Sequence, residues 1–164
     1  MDFPAAEGVN LQRQRVLLPS GLPGDLNILI IAFQRWQQAM IESWVPFVEE
    51  LEQTHSGVRY YELPTLESRD SLSRTLINEG MRAGIPDARS RQRTITLYVD
   101  RAAFRSALDL PDESTIYVLL VNRRRRVVWR GEGALTGDKS QALLRAIQTH
   151  QRASLGSETP PDEP

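Results

Sequence analysis

The chemistry-bearing residues of this sequence are mostly arginines. Arg123-Arg124-Arg125-Arg126, with Arg130 close behind, is a run of guanidinium forks suited to phosphates, anionic lipid heads or an acidic partner. Read blandly, the same run is the solvated tip of a tight turn. Arg82, Arg89, Arg91 and Arg93 form a second cluster. Neither has interleaved aromatics, so there is no strong signal for nucleic acid. His55 and His150 each fall in the last turn of an expected helix, where an imidazolium complements the dipole, and no Cys or second nearby His completes a metal site. Gly131-Glu132-Gly133 and Gly137-Asp138-Lys139-Ser140 fail as a phosphate loop. No glycine stands immediately before Lys139, and the spacing between Gly131 and Gly137 is one residue too long. Asp138 reads instead as a helix cap. Glu49, Glu50 and Glu52 read as a solvated helix face, and neither a nucleophile elbow nor a paired-His zinc helix is present. No residue is assigned a catalytic role, and no metal or cofactor is expected.

The absence of cysteine excludes disulfides, thiolate ligands and thiol catalysis together. Acidic and basic residues nearly cancel, with a formal net charge of -1, so no global field steers the protein to nucleic acid or membrane, and any anion binding is local. Lys139 is the only lysine. The longest apolar run, Ile28 to Phe33, falls far short of the ~20 residues that span a bilayer. The opening MDFPAAEGVN lacks the features of a secretory signal. The expectation is a soluble, cytoplasmic protein, peripheral to a membrane only through a partner, of unknown oligomeric state.

Around these residues the chain reads as alternating elements. Gln14 to Leu18 is a short strand before the turn-rich Pro19 to Gly24, and Asn27 to Phe33 is a strand apolar at every position, as befits one covered on both faces. From Trp36 to about Thr54, Trp36, Met40, Ile41, Trp44, Phe47, Val48 and Leu51 recur at helical spacing, which predicts one apolar face packed in the core. Pro46 is expected to kink this helix, and His55-Ser56-Gly57 to end it. Val58 to Leu63 is the next strand. Asp70 to Arg82 is the next helix, with Leu72, Leu76 and Ile77 inward and Gly84-Ile85-Pro86 as its stop. An arginine-rich loop, the strand Thr94 to Val99 and a short helix capped by Asp100 follow. Ile116 to Val121 and Arg126 to Arg130 form an antiparallel hairpin, and Asp138 to about His150 is the last helix. The pattern is α/β, three layers around a central mixed sheet, in a single domain over 1–153. The acidic, proline-rich tail 154–164 is expected to be disordered.

These residues resemble the thioredoxin-like superfamily, in its peroxiredoxin-related branch, from about Leu17 to His150. More narrowly, Met81 to Pro86 (MRAGIP), Thr94 to Val99 and Tyr117 to Leu135 (YVLLVNRRRRVVWRGEGAL) resemble the ATP synthase assembly-factor family of mitochondria and its bacterial relatives. Arg125 replaces that family's turn glycine and Asn122 its acidic residue; a non-glycine held at positive φ costs ~1 kcal/mol, which points to a different turn type. The resemblance places the superfamily's two thiols at Gln37 and Met40, its peroxidase arginine near Ile116 and its cis-proline in the loop Pro111 to Thr115, where no proline adjoins the strand. The implied function is a redox-inactive binding protein, a chaperone or assembly factor for a membrane complex such as ATP synthase, acting on a protein client. Its candidate cleft is Trp36, Gln37, Gln38 and Met40 at a helix N-terminus with free backbone donors, opposite Ser114 and Thr115. The alternatives are a cysteine-independent enzyme in that cleft, or an anion-binding module built on Arg123, Arg124, Arg125, Arg126 and Arg130.

Overall fold

The computed structural model describes residues 1–67, 71–85 and 87–156. Its centre is β3 (Leu26–Ala32), buried at every position. Alternate side chains of a strand point to opposite faces. Accordingly Leu29 and Ile31 enter one apolar cluster and Ile28, Ile30 and Ala32 the other. β4 (Val58–Glu67) runs parallel to β3 on one side, and β6 (Tyr117–Asn122) antiparallel on the other. β5 (Ile95–Val99) is parallel to β4, and β7 (Val127–Glu132) closes the hairpin with β6. β1 (Ala6–Asn10) and β2 (Arg15–Leu18) complete a mixed sheet of seven strands in the order β2-β1-β5-β4-β3-β6-β7. α1 (Gln38–Thr54) lays Ile41, Trp44, Val48 and Leu51 on one face of the sheet, beside Leu143 and Ile147 of α5 (Gly137–Gly156). α4 (Arg101–Leu108) covers the other face with Phe104 and Leu108, its start capped by the Asp100 carboxylate, which accepts from Ala103 N–H at 3.1 Å. α2 (Ser71–Gly84) and α3 (Ala88–Arg93) link β4 to β5.

The three-layer α/β architecture follows the sequence expectation, with several corrections. β1 is an added strand, and β4 runs through Pro64 to Glu67. The arginine-rich loop contains α3, a helix with no buried residue; its start is fixed by Asp87, whose carboxylate accepts from the N–H and the hydroxyl of Ser90 and is held below the usual carboxylate range by them. Asp138 lies in the first turn of α5, whose start is capped by Thr136, the acceptor for Lys139 N–H at 3.3 Å. His150 is inside α5, and His55 sits just past α1. α1 continues through Pro46. Glu52 is not solvated: its side chain is 9% exposed, in an ion pair with Arg93. The Leu72 and Leu76 side chains, Asp70, Pro86 and tail residues 157–164, all subjects of expectations above, lie outside the described residues.

The β6–β7 turn keeps the geometry that a glycine would favour. Arg125 sits at φ 69°, with its N–H donating to Asn122 O at 3.0 Å. The Asn122 side chain closes the turn from inside, its Oδ1 accepting from the N–H of Arg124 at 2.9 Å and of Arg126 at 3.0 Å. Local hydrogen bonds thus offset the left-handed strain, and Arg125 takes the positive φ that glycine adopts freely. Arg125→Gly is therefore expected to stabilise the protein by ~1 kcal/mol, a rise in Tm of about 3 °C by calorimetry. A fall in Tm would show that the Arg125 side chain contributes more than its backbone costs.

Candidate functional site

The chain leaves β3 at Ala32 and enters α1 through a single 3₁₀ turn, Arg35–Gln37. Such a turn has three residues per revolution rather than 3.6, which rotates its members off the stripe that α1 maintains. Trp36 consequently faces outward and is 64% exposed, against the expectation that it joins Met40 and Trp44 in the core. Trp44 alone of the three is fully buried; Met40 is half-buried, its Sδ 3.7 Å from the Thr115 hydroxyl across the cleft.

Gln37, read from sequence as part of the candidate cleft, is fully buried. Its Oε1 accepts from the N–H of Phe33 at 2.9 Å and of Gln34 at 3.1 Å, and its Nε2 donates to Glu113 O at 2.7 Å. The side chain bolts the strand-to-helix step to the loop preceding β6. Backbone donors at this helix start are also taken: Gln37 N–H bonds Gln34 O, and Gln38 N–H bonds Arg35 O. The expected free donors therefore do not include the N–H groups of Gln37 and Gln38. Gln38 is exposed. Ser114 turns away, its hydroxyl and N–H both bonding Asp112 Oδ1 and holding that carboxyl below its ordinary range. The buried Gln37 amide is thus engaged with the main chain in all three of its hydrogen bonds.

The loop after β7 is tied to α1 and to the start of β6. Trp44 donates from Nε1 to Gly133 O at 2.9 Å, Gly133 N–H donates to Ile116 O at 3.0 Å, and Ser43 Oγ accepts from Leu135 N–H at 3.0 Å. Trp44 and Trp129 meet edge to face at 6.3 Å.

The arginine run does not gather into one site. Arg123 pairs with Asp25, and Arg126 with Asp2 at 3.5 Å. Arg130, on β7, donates to Asp109 O at 3.2 Å, beyond α4. Arg124 and Arg125 are exposed. Within the second cluster Arg91 is tied to the carbonyls of Ile85 and Arg82, and Arg93 to Glu52. Among the described residues no group of three or more His, Cys, Asp or Glu side chains is arranged to hold a metal ion. No described helix is long and apolar enough to cross a membrane.

A seven-stranded mixed sheet with a helix launched from its central strand, opposite the loop before β6, is a thioredoxin-like fold. Solved structures agree. A putative electron transfer protein of Aquifex aeolicus superposes with a TM-score of 0.61 at 12% identity, over 90% of this chain and 94% of that one. An exposed lipoprotein thioredoxin of Streptococcus pneumoniae gives 0.58 at 11%, over 89% and 99%. ScoI of Arabidopsis thaliana, solved with copper bound, gives 0.59 at 13%, over 91% and 99%. No curated protein sequence matches the chain. The family model described as ATP10 protein matches residues 1–149, and the chain belongs to that family. Membership supports an assembly-factor role at the ATP synthase.

Proposed function

We propose that this protein is a redox-inactive member of the thioredoxin-like fold that binds a protein client, an apolar subunit of the ATP synthase membrane sector, during assembly. The observation that carries this reading is Gln37. Where the superfamily's reactive thiol belongs, a glutamine amide braces the backbone, so the step has become structural while Trp36 beside it is left facing outward. The 164 residues contain no thiol for any exchange reaction. The reading of an enzyme in the old cleft is weakened by the burial of Gln37, whose side chain is bonded to the main chain.

Covering the exposed part of one tryptophan removes on the order of 100 Å² of apolar surface from water, worth about 2–3 kcal/mol at ~25 cal/mol per Å². Buried tryptophans are among the commonest energetic anchors of interfaces. Trp36→Ala is expected to leave Tm unchanged within about 2 °C while reducing recovery of the membrane subunit, in a pull-down from detergent extract, about 30-fold in affinity. Undiminished recovery, or failure of the unaltered protein to capture any membrane subunit, would overturn the reading.

A further inference from the structure

A second site lies at the other end of the sheet. β5 joins β4 only from Thr65, beyond a single bridge between Glu62 and Thr94, so the first residues of β4 meet a side chain where a strand would continue. That side chain is Arg93. Its guanidinium stacks on the Tyr60 ring at 4.2 Å, donates to Tyr60 O at 3.3 Å and grips both oxygens of Glu52 at 2.5 and 2.7 Å. Above this plugged edge is a cavity of about 440 Å³, within the range of small-ligand sites. Its walls carry Arg59, Arg89, Gln53, Gln92 and Tyr61.

The charge count decides what such a cavity accepts. The Glu52 carboxylate is satisfied by the Arg93 fork, a bidentate pairing that engages both its oxygens. Arg59 Nε and Arg89 NH2 stand 3.9 and 4.0 Å from Glu52 Oε1, beyond hydrogen-bond reach, and keep 46% and 70% of their side-chain exposure. Within the cavity's own lining three guanidiniums stand against one carboxylate; Glu49 and Asp87 offset that excess from an adjoining recess. Arg59 is steadied by a bond from NH1 to Val58 O at 3.1 Å, which fixes its stem at the rim. That recess, of about 140 Å³, shares Glu52, Gln53, Arg89 and Arg93 with the cavity and adds Glu49 and Asp87, so Arg89 faces carboxylates on that side and Arg59 does not line it. We propose that an oxyanion, the phosphoryl group of a soluble phosphorylated ligand or of a lipid headgroup, binds between Arg59 and Arg89. A phosphate monoester carries between one and two negative charges at neutral pH, which complements two forks that stand near Glu52 without hydrogen-bonding it. The amides of Gln53 and Gln92 and the Tyr61 hydroxyl supply neutral donors around it.

The arginine turn marks the same end of the sheet, because Leu26 pairs with both Val58 and Asn122. Its arginines are separate from the cavity, which makes them a control. Isothermal titration of the full chain with sodium pyrophosphate is expected to show binding that weakens at least tenfold between about 50 and 200 mM salt. Joint replacement Arg59→Gln and Arg89→Gln, both at exposed positions, should lower affinity at least tenfold with Tm unchanged, whereas Arg124→Gln should leave it as it was. Vesicles of phosphatidylcholine containing a phosphoinositide then separate the two sources. Sedimentation with vesicles, reversed by pyrophosphate, assigns the headgroup; pyrophosphate binding without sedimentation assigns a soluble ligand. No heat at millimolar pyrophosphate, or equal binding by the double variant, overturns the proposal. Client capture through Trp36 is read in a different assay, so either reading can fail without the other.

Discussion

Gln37→Ala is expected to destabilise the protein by about 3–4 kcal/mol, lowering Tm by roughly 10 °C. The alanine leaves Phe33 N–H, Gln34 N–H and Glu113 O without partners, at the junction of the central strand, α1 and the loop before β6. Each lost bond costs about 1 kcal/mol, and more where water cannot replace it; Phe33 is buried, Gln34 lies at the surface. Gln37→Glu sharpens the test. A glutamate keeps acceptors for the two N–H groups but sets a carboxylate against Glu113 O, so its defect should shrink as pH falls and the acid gains a proton to donate. Urea unfolding at neutral and acidic pH measures both variants. A loss below 1 kcal/mol for the alanine would mean that the amide fills the step without bracing it.

Trp44→Ala is expected to cost about 4 kcal/mol, within the 3–5 kcal/mol typical of a large aromatic lost from a core. Trp44 is fully buried between α1 and the sheet, edge to face with Trp129 of β7, and its Nε1 holds Gly133 O, anchoring the loop after β7. Trp44→Phe separates the two contributions. It retains much of the ring volume, leaves Gly133 O without its donor, and should cost about 1–2 kcal/mol. Urea titration followed by the fluorescence of Trp36 and Trp129 reports both global unfolding and the release of the Gly133 loop. Equal losses for the two variants would show that the hydrogen bond, rather than the volume, dominates.

Elements governed by local periodicity were legible in the sequence. The unbroken apolar run at Ile28 to Phe33 predicts a strand buried on both faces, and β3 is that strand. Asp100 predicts the start of α4, and the apolar runs around the arginine turn predict the hairpin. Errors arose where the deciding interaction lies far away in sequence. Nothing near Gln37 signals burial, because its bond to Glu113 spans 76 positions. Glu52 looks solvated beside Glu49 and Glu50, because Arg93, 41 positions on, is invisible to helical periodicity. Arg59 belonged to neither arginine cluster in the sequence, yet lies on one cavity wall with Arg89. Trp36 was misread for a geometric reason: the helical stripe was extended back into a 3₁₀ turn, where the angular step differs. α3 was missed because it buries no side chain and so shows no apolar stripe, although its Asp87 cap was present to be read.

The two ends of the sheet therefore differ in kind. Trp36 follows the last residue of β3, and the arginine turn lies beside its first, a separation of about 20 Å along the strand at ~3.3 Å per residue. An exposed tryptophan at one end and exposed arginines at the other give the proposed client binding and the proposed anion binding separate surfaces.

Photo-crosslinking from a benzophenone residue at position 36, in the full chain mixed with membranes of its host, tests that claim most directly. The account predicts an adduct with a membrane-sector subunit of the ATP synthase from position 36, and none from the same probe at position 124. No membrane-subunit adduct from position 36, or equal adducts from both positions, would contradict it.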